Sequence, residues 1–477
     1  MRHRLILLSV CAAACGAPVP DDPQMVPTMV RAWYGVARVE RLSPPVTSRL
    51  LAYHASALFA GLAAAPGSGG AVLAGRLNDA PTFPTPTGSI DGTLTAVAAL
   101  HLVSDSLLAE ALPTTRSALA RLGDSLETAR VAALGRRPGV RALRARSTAH
   151  GTAIGQAIVA WARTDGFAAT RGRSYTPPVG TGRGVNDAPA TVYATQKTSA
   201  ASESVQLDDP TNTLRPGSTS DRALILSRAK STGRRTLPAV NMAGASEPYW
   251  GTLRPFALAR WDACPVPAAP PYATAPGTPM RTAADAVVAT QRTLTDAERA
   301  TALYWADNAG ESGTPAGHWA AIAAGAAARE PTAAAAAGVV LATTVAVADA
   351  FIAAWGYKYR DVTIRPRTYI RRVIDPHWEP AIPTPPFPEH PAGHATQSAA
   401  AATVLTARVG AGPFVDSTSV ALGHPPRRYA NFLAAADEAA VSRLYGGIHF
   451  PTGNEAGRVL GACIGRAVAA RGIGVIE

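Results

Sequence analysis

Helical periodicity is the feature that most constrains the fold of this chain. Apolar residues recur at i, i+3 and i+4 spacing, beginning with the stretch from Thr47 to Ala65. No segment alternates apolar and polar residues persistently, and no strand–helix–strand rhythm is present. The pattern therefore predicts an all-α fold of helical bundles. Helices are expected around residues 47–65, 91–111, 114–135, 140–165, 283–290, 295–307, 315–329, 332–357, 394–409, 429–445 and 455–471.

The N-terminal residues have the pattern of an export signal. Arg2 and Arg4 precede a run of about ten apolar residues, which is too short to span a bilayer as a mature helix. The alanines before Cys15 resemble a bacterial lipobox, which makes Cys15 a candidate lipid anchor. We therefore expect residues 1–15 to be a signal peptide. The protein is expected to be exported to the periplasm or the extracellular space, either free or as a membrane-anchored lipoprotein.

The remaining residues read as one domain with an insertion. Residues 16–30 are expected to be a proline-rich leader, and residues 31–477 a single helical domain. Within it, residues 168–247 are rich in Ser, Thr, Gly, Pro and Arg and lack periodicity, so they are expected to be a loop-rich insertion. Cys264 and Cys463 remain after the signal is removed, and they can form either a disulfide bond or two free thiols.

Charge and cysteine content exclude several classes of protein. The net charge of +12 comes from 45 basic and 33 acidic residues and suits an anionic ligand or surface. No run of basic residues is interleaved with aromatic residues, so nucleic acid is not expected as a partner. Four cysteines in 477 residues exclude a scaffold built on disulfide bonds and a protein with several zinc sites.

Residues able to carry chemistry are concentrated in three short motifs within residues 350–477. The motifs are, in chain order, Lys358-x6-Arg365-Pro366, Pro391-Ala392-Gly393-His394 and Ser442-Arg443-x5-His449. Taken singly, each of these side chains is more often a solvated or core group than a functional one. The chain has only three lysines, however, so chance rarely places one seven residues before an Arg-Pro pair. The joint pattern therefore indicates a site.

The residue types in the motifs suit a tetrahedral oxyanion. Arginine guanidinium groups bind phosphate-like oxygens in bidentate fashion, and lysine adds a compact positive charge. A helix N-terminus presents free N–H groups, and glycine allows close approach to the backbone. Two histidines allow one to act as ligand or nucleophile while the other transfers a proton.

The motifs resemble those of the vanadium-dependent haloperoxidase and type 2 phosphatidic acid phosphatase (PAP2) superfamily. That pattern is Lys-x6-Arg-Pro, Pro-Ser-Gly-His and Ser-Arg-x5-His-x3-Asp. The stretches at residues 249–256, 304–307 and 375–391 are similar to the haloperoxidase branch. The resemblance covers roughly residues 30 to 477 apart from the insertion. It implies a double four-helix-bundle architecture, with residues 350–477 carrying the anion site.

The resemblance implies a role for each motif residue. His449 would be the axial ligand of vanadium, or the nucleophile of a phosphatase, and His394 would be the general acid–base. Asp307 would orient Arg443. The residues that would hold vanadate or phosphate are Lys358, Arg365, Gly393, Arg443 and His449.

Two aromatic residues would flank the cofactor. Trp355 and Phe387 stand where chloroperoxidases keep aromatic side chains beside vanadate. Ordinary core packing is the alternative interpretation for both. If the resemblance holds, their positions favour halide chemistry over phosphate chemistry.

Two departures from the family pattern affect the expected site. Ala392 stands where the family has serine, which removes a hydroxyl donor to the anion. Gly453 stands where the family has the aspartate that orients the histidine ligand. Glu455 is the residue in the sequence that could take over this orienting role.

Three functions are compatible with these residues. The first is a vanadate-dependent haloperoxidase without haem, which would use hydrogen peroxide and halide and halogenate an organic acceptor. The second is an exported, soluble PAP2-type acid phosphatase that hydrolyses phosphate monoesters through a phosphohistidine. The third is a non-catalytic oxyanion-binding lipoprotein, which Ala392 and Gly453 would favour. Trp355, Phe387 and the haloperoxidase-like stretches favour the first.

Overall fold

The computed structural model of the protein describes residues 19–65, 70–178, 180–184 and 245–476. The predicted signal peptide, with its candidate anchor Cys15, lies outside the described residues. Most of the predicted insertion, residues 185–244, also lies outside them. The described part of the chain is predominantly helical, so the all-α prediction is confirmed.

The N-terminal helices pack around an apolar core. They are α1 (Met25–Val39), α2 (Pro44–Leu62), α3 (Gly92–Leu107), α4 (Pro113–Leu134), α5 (Val140–Arg163) and the short α6 (Phe167–Thr170). Side-chain caps explain two of the starts. Ser43 accepts a hydrogen bond from the backbone N–H of Val46, and Asp91 accepts one from Leu94. Helix α2 packs against α3, and α3 packs against α5, which forms a first bundle.

The C-terminal helices form a second bundle with one small hairpin. The helices are α7 (Pro279–Arg292), α8 (Asp296–Tyr304), α9 (Thr314–Ala326), α10 (Ala333–Asp361), α11 (Pro366–Val373), α12 (Gly393–Val409), α13 (Phe432–Tyr445) and α14 (Pro451–Ala470). Helix α12 packs against α10, α13 and α14. The strands β1 (Phe414–Asp416) and β2 (Arg427–Tyr429) pair antiparallel, with Phe414 opposite Tyr429. This hairpin and helix α11 are absent from the sequence-based expectation.

Helix α1 begins inside the segment that was expected to be a leader. Its start at Met25 places part of residues 16–30 within the helical domain. Pro27 stands in the first turn, where no backbone N–H is needed for the intrahelical ladder, so the proline is tolerated. The side chains of Met25, Val26 and Trp33 are buried, and this burial anchors the helix on the core.

Helix α10 is the central helix of the fold. By length and a mean hydropathy of 2.0 it could cross a membrane, but 94% of its most apolar window is buried inside the protein. It packs against α2, α9, α12 and α14, so its apolar surface is covered by other helices. Burial on all sides explains its uniformly apolar sequence. The helix therefore serves as a core element, and Lys358 lies in its last turn.

A row of glycines lets α14 approach α12 closely. A Cβ atom added at Gly457, Gly461 or Gly465 would lie 2.0–2.7 Å from a backbone carbonyl oxygen of α12 or of Ala392, which directly precedes it. These glycines are four residues apart and therefore share one face of α14. The close contact brings the N-terminus of α12 beside the N-terminus of α14. Two of the three motifs meet at this point.

A disulfide bond joins Cys264 to Cys463 on α14. Of the two states left open by the sequence, the structure shows the bridge. The cysteines are 199 residues apart, so the bond ties the segment after the insertion to the last helix. Stable disulfides are characteristic of oxidising compartments.

Candidate active site

The three predicted cations lie at helix ends in the second bundle. Lys358 lies in the last turn of α10, Arg365 directly precedes α11, and Arg443 lies in the last turn of α13. All three are buried. They therefore project from rigid elements, and their positions are set by helix packing.

A cavity of about 140 Å³ lies between these helix ends. Gly393 and His394 are the first two residues of α12, and His449 lies just before α14. The predicted residues that line the cavity are Asp307, Trp355, Phe387, Gly393, His394, Arg443 and His449. Lys358 and Arg365 do not line this cavity but contact residues that do. The structure thus brings residues from all three motifs together.

Lys358 is held by two backbone carbonyls. Its Nζ donates to the oxygen of Pro388 at 2.8 Å and of Glu389 at 2.9 Å, and lies 5.2 Å from the ring centroid of Phe387. Burial and the charge of Arg365 hold the pKa of Lys358 well below its usual value, against the opposing effect of Glu389. A bound oxyanion would raise this pKa again, because a nearby negative charge favours the ammonium form.

Arg365 contacts the imidazole of His449. Its Nη1 donates to the carbonyl of Ile448 at 2.7 Å and lies 3.0 Å from His449 Nε2. Its Nε donates to the carbonyl of Phe387 at 2.8 Å. A guanidinium group has only donors, so Nε2 of His449 must be the acceptor. Arg365 therefore places positive charge beside the nitrogen that is expected to be the ligand.

Arg443 supplies a fixed charge in the cavity wall. Its Nη2 donates to the carbonyl of Ala302 at 3.0 Å, and its Nε donates to the hydroxyl of Ser442 at 3.0 Å. Burial lowers the pKa of Arg443 to about 10, while Asp307 acts in the opposite direction. The side chain is consequently charged at neutral pH and available to an anion.

His449 is held in one tautomer by its two partners. Its Nδ1 lies 2.8 Å from Oε1 of Glu389, which also accepts a hydrogen bond from the backbone N–H of Phe450 at 3.2 Å. Nδ1 is therefore the protonated nitrogen, and Nε2 keeps its lone pair. Burial, reinforced by Arg365 and Lys358, holds the pKa of His449 well below its usual value. A neutral ring with its lone pair on Nε2 is the form that ligates a metal.

The expectation for Glu455 is wrong, because Glu389 is the partner of His449. Glu455 is an exposed side chain that pairs with Arg458 at 3.1 Å. Gly453, where the family has aspartate, instead leaves space: a Cβ atom added there would lie 2.0 Å from Oε1 of Glu389. Burial raises the pKa of Glu389 to about 7, against the effects of Lys358 and Arg365.

His394 contributes a buried nitrogen without a partner. Its Nε2 makes no hydrogen bond to any residue in the described part of the chain. Burial, followed by the charges of Arg443 and His318, holds the pKa of His394 well below its usual value. The ring is therefore neutral at neutral pH and can accept a proton at a nitrogen in the cavity wall.

Asp307 belongs to a buried carboxylate–histidine–carboxylate chain. Its Oδ2 lies 2.9 Å from Nδ1 of His318, whose Nε2 lies 2.7 Å from Oδ2 of Asp416. Burial alone would lower the pKa of His318, but the two carboxylates raise it to about 10. Asp307 makes no hydrogen bond to Arg443, and its Oδ1 has no partner among the described residues. Its effect on Arg443 is electrostatic.

The aromatic residues form one wall of the cavity. The rings of Trp355 and Phe387 are 4.8 Å apart, and the indole N–H of Trp355 donates to the carbonyl of Ser246. A Cβ atom added at Gly393 would lie 3.4 Å from the ring of Trp355. Trp355 therefore packs directly against the N-terminus of α12, which leaves the first N–H groups of that helix close to the cavity.

Ala392 is fully buried and directly precedes α12, where it provides no side-chain cap. Its backbone N–H donates to the carbonyl of Gly453 at 2.9 Å. This hydrogen bond fixes the start of α12 against the start of α14. The hydroxyl that the family has here is missing, so the backbone and the cations would provide the contacts to the anion.

These residues fit a vanadate-sized oxyanion. Arg443, His394 and the N-terminus of α12 line one small cavity. Lys358 and Arg365 lie behind its wall, in contact with the lining residues Phe387 and His449. Within the described residues no cluster of three or more His, Cys, Asp or Glu side chains could hold a metal cation. An oxyanion needs no such cluster, because His449 would be its single protein ligand and charge would supply the rest.

Three site residues were missed in the sequence: Glu389, His318 and Asp416. Glu389 lies within the haloperoxidase-like stretch 375–391 but in none of the three motifs. His318 lies on α9, and Asp416 lies on β1, in segments without a motif. The pairing of Glu389 with His449 spans 60 residues, and that of His318 with Asp416 spans 98. Local spacing carries no signal for contacts of this range.

The geometry agrees with comparisons to known proteins. Residues 338–476 match a family model described as the VCPO second helical-bundle domain, and this range contains all three motifs. No curated protein sequence matches the chain.

Solved structures extend the similarity to the whole fold. The chain is similar to the first bacterial vanadium-dependent iodoperoxidase structure, with 28% sequence identity and a TM-score of 0.75, covering 95% of this chain and 97% of that chain. A holo-type bacterial vanadium-dependent chloroperoxidase shares the fold at 16% identity and a TM-score of 0.62, covering 95% of this chain and 98% of that chain. The apo-type chloroperoxidase has 15% sequence identity and a TM-score of 0.61, with the same coverage of both chains. The motifs, the second bundle and the shared architecture are thus similar to those of the vanadium haloperoxidase superfamily.

Proposed function

We propose that this protein is a vanadate-dependent haloperoxidase that uses hydrogen peroxide to oxidise halide. The observation that carries the proposal is the state of His449, a buried, neutral ring whose Nε2 lone pair lies beside Arg365. Arg365 belongs to a group of three buried basic side chains, with Lys358 and Arg443, which we call the cradle. This is the arrangement that a single-histidine oxyanion cofactor requires. Vanadate bound there would act as a Lewis acid that activates peroxide.

Different residues would bind the oxyanion and transfer the proton. Lys358, Arg365 and Arg443 would neutralise the oxyanion, and the N-terminus of α12 would add backbone donors. His394 would accept a proton from hydrogen peroxide at Nε2 and return it to the departing oxygen. In the net reaction the O–O bond breaks and halide loses two electrons. One proton is consumed, and hypohalous acid and water are formed.

Iodide is the halide that we propose as the first substrate. The similar structure at 28% identity is an iodoperoxidase, whereas the chloroperoxidases share only 15–16% of residues. The aromatic wall of Trp355 and Phe387 offers a site of low polarity beside the cradle. The hypohalous acid formed would then halogenate an organic acceptor.

We also propose that the protein is exported. The support is the disulfide between Cys264 and Cys463, since such bonds persist in oxidising compartments. Residues 1–15 have the composition of an export signal. A lipid anchor at Cys15 remains a prediction, and mass spectrometry of the N-terminal peptide from bacterial membranes would test it.

The deciding experiment is peroxide-dependent iodide oxidation by the purified protein, with and without orthovanadate. We expect activity only after vanadate is added, and the H449A variant should show none. Phosphate-ester hydrolysis without peroxide activity would replace the proposal with the phosphatase function. Absence of both activities, with vanadate still bound, would support the non-catalytic lipoprotein instead.

A further inference from the structure

Glu389 is the residue that links the cradle to the histidine ligand. The residue is 2% exposed, and its Oε1 accepts from both the His449 ring and the Phe450 backbone. Its own carbonyl oxygen accepts from Lys358 at 2.9 Å. Its backbone N–H donates to the carbonyl of Thr363 at 3.1 Å. The residue is therefore held on both its backbone and its side chain.

The neighbouring residues fix the same segment. Arg365 donates to the carbonyl of Phe387, and Lys358 donates to that of Pro388. The N–H of His390 donates to the hydroxyl of Thr363 at 2.8 Å. Lys358 and Arg365 are thus both bound to the segment that carries Glu389. Because the Glu389 side chain contacts the His449 ring, replacing it would alter the position of that ring.

The carboxylate of Glu389 fills the space that a side chain at position 453 would need. A Cβ atom at residue 453 would lie 2.0 Å from Oε1 and 2.8 Å from Cδ of Glu389, closer than real Cβ contacts. An aspartate at 453 and the carboxylate of Glu389 would therefore compete for the same space. Only one of the two positions can carry an acid.

We propose that Glu389 is the positioning residue of His449, taking the place that the family motif gives to an aspartate at position 453, and that Gly453 is glycine because Glu389 fills its space. The proposal deepens the proposed function, because it rests on His449 as the oxyanion ligand. It makes the two positions exchangeable: an acid at either one, but not at both, should orient the ring.

The first test needs no vanadate. Proton NMR of the full chain labelled with ¹⁵N-histidine should show a downfield Nδ1–H resonance for His449, which is assigned by its loss in H449Q. We expect E389A to lose this resonance, E389Q to keep it at a less downfield position, and E389A/G453D to regain it. E455Q is the matched control, because Glu455 is exposed and pairs with Arg458 on the surface.

The second test measures binding of orthovanadate by equilibrium dialysis. We expect E389A to weaken binding by about 10- to 100-fold. The E389A/G453D variant should recover to within about tenfold of wild type. The G453A variant should weaken binding by displacing Glu389, and it should add little in the E389A background, because the two changes act on one contact.

The outcomes separate this inference from the proposed function. A wild-type protein that does not bind vanadate would refute the function, while the NMR series would still decide the role of Glu389. The inference is overturned if E389A keeps both the downfield resonance and the affinity. It is also overturned if E389A/G453D performs no better than E389A. If thermal melting shows that E389A is unfolded, E389Q decides, since an unchanged resonance position would contradict a carboxylate partner.

Discussion

Replacement of His318 by glutamine tests how the cavity wall at Asp307 is held. His318 is fully buried and lies 2.9 Å from Asp307 and 2.7 Å from Asp416. Glutamine carries no charge and donates from a single amide nitrogen, so the buried carboxylates lose their cationic partner. Removing one member of a buried ion pair typically lowers the free energy of unfolding by about 3–5 kcal/mol. We expect a loss of that size in H318Q.

The same variant should remove a pH dependence of stability. Burial lowers the pKa of His318, but Asp307 and Asp416 overcome this and raise it from 6.5 to about 10. A group whose pKa rises on folding stabilises the native state fully below the unfolded value, and this stabilisation is lost as pH rises through the folded value. The difference between the two pKa values corresponds to at most about 5 kcal/mol. The contribution should therefore be complete below pH 6.5 and absent above pH 10.

Urea denaturation of wild type and H318Q across this pH range measures the effect. The quantity to follow is the difference between the two proteins, because groups far from His318 titrate equally in both. We expect the difference to be largest below pH 6.5 and to shrink towards pH 10. A difference below about 1 kcal/mol at the acid end, or one that is constant across the range, would refute a charged bridge at His318.

Three further predictions concern the cradle and the fold. The variant A392S returns a hydroxyl donor beside Gly393 and should tighten orthovanadate binding about tenfold in equilibrium dialysis; an unchanged affinity would mean that residue 392 does not face the anion. The variant H394A should lower peroxidase turnover about 100-fold or more, with vanadate affinity kept, whereas loss of both would make His394 part of the binding cradle. The variant C264S removes the disulfide bond between two cysteines that are 199 residues apart. The loss of chain entropy in the unfolded state that this bond causes limits the expected decrease in the free energy of unfolding to about 5 kcal/mol. An unchanged Tm would show that the bond does not stabilise the fold.

Much of the fold could be predicted because helical periodicity is a local property. The expected helices around 332–357 and 394–409 correspond to α10 and α12. The start of the domain was placed too late, because the prolines before and within α1 resemble a leader when read alone. Only the packing of Met25 and Trp33 into the core shows that this segment is helical.

The motif residues could be found because their types and spacing are unusual in this composition. Lys358 and Arg365 stand out in a chain with three lysines, and a glycine and a histidine at a helix start indicate an anion site. The structure brings these motifs to one cavity, as the resemblance implies. The sequence alone thus determined the all-α class, the family resemblance and the cations, Gly393 and His449 as candidates.

The partners of those residues were decided by the tertiary structure. Glu389 is tied to His449, and His318 to Asp416, by contacts between segments that are far apart in the chain. A hydrogen bond of this kind depends on where helices end and how closely they pack, and the glycines of α14 allow that approach. Local sequence fixes which groups a chain carries. Which buried acid faces which histidine follows only from the folded arrangement, because burial leaves each polar group with the few partners that packing places within reach.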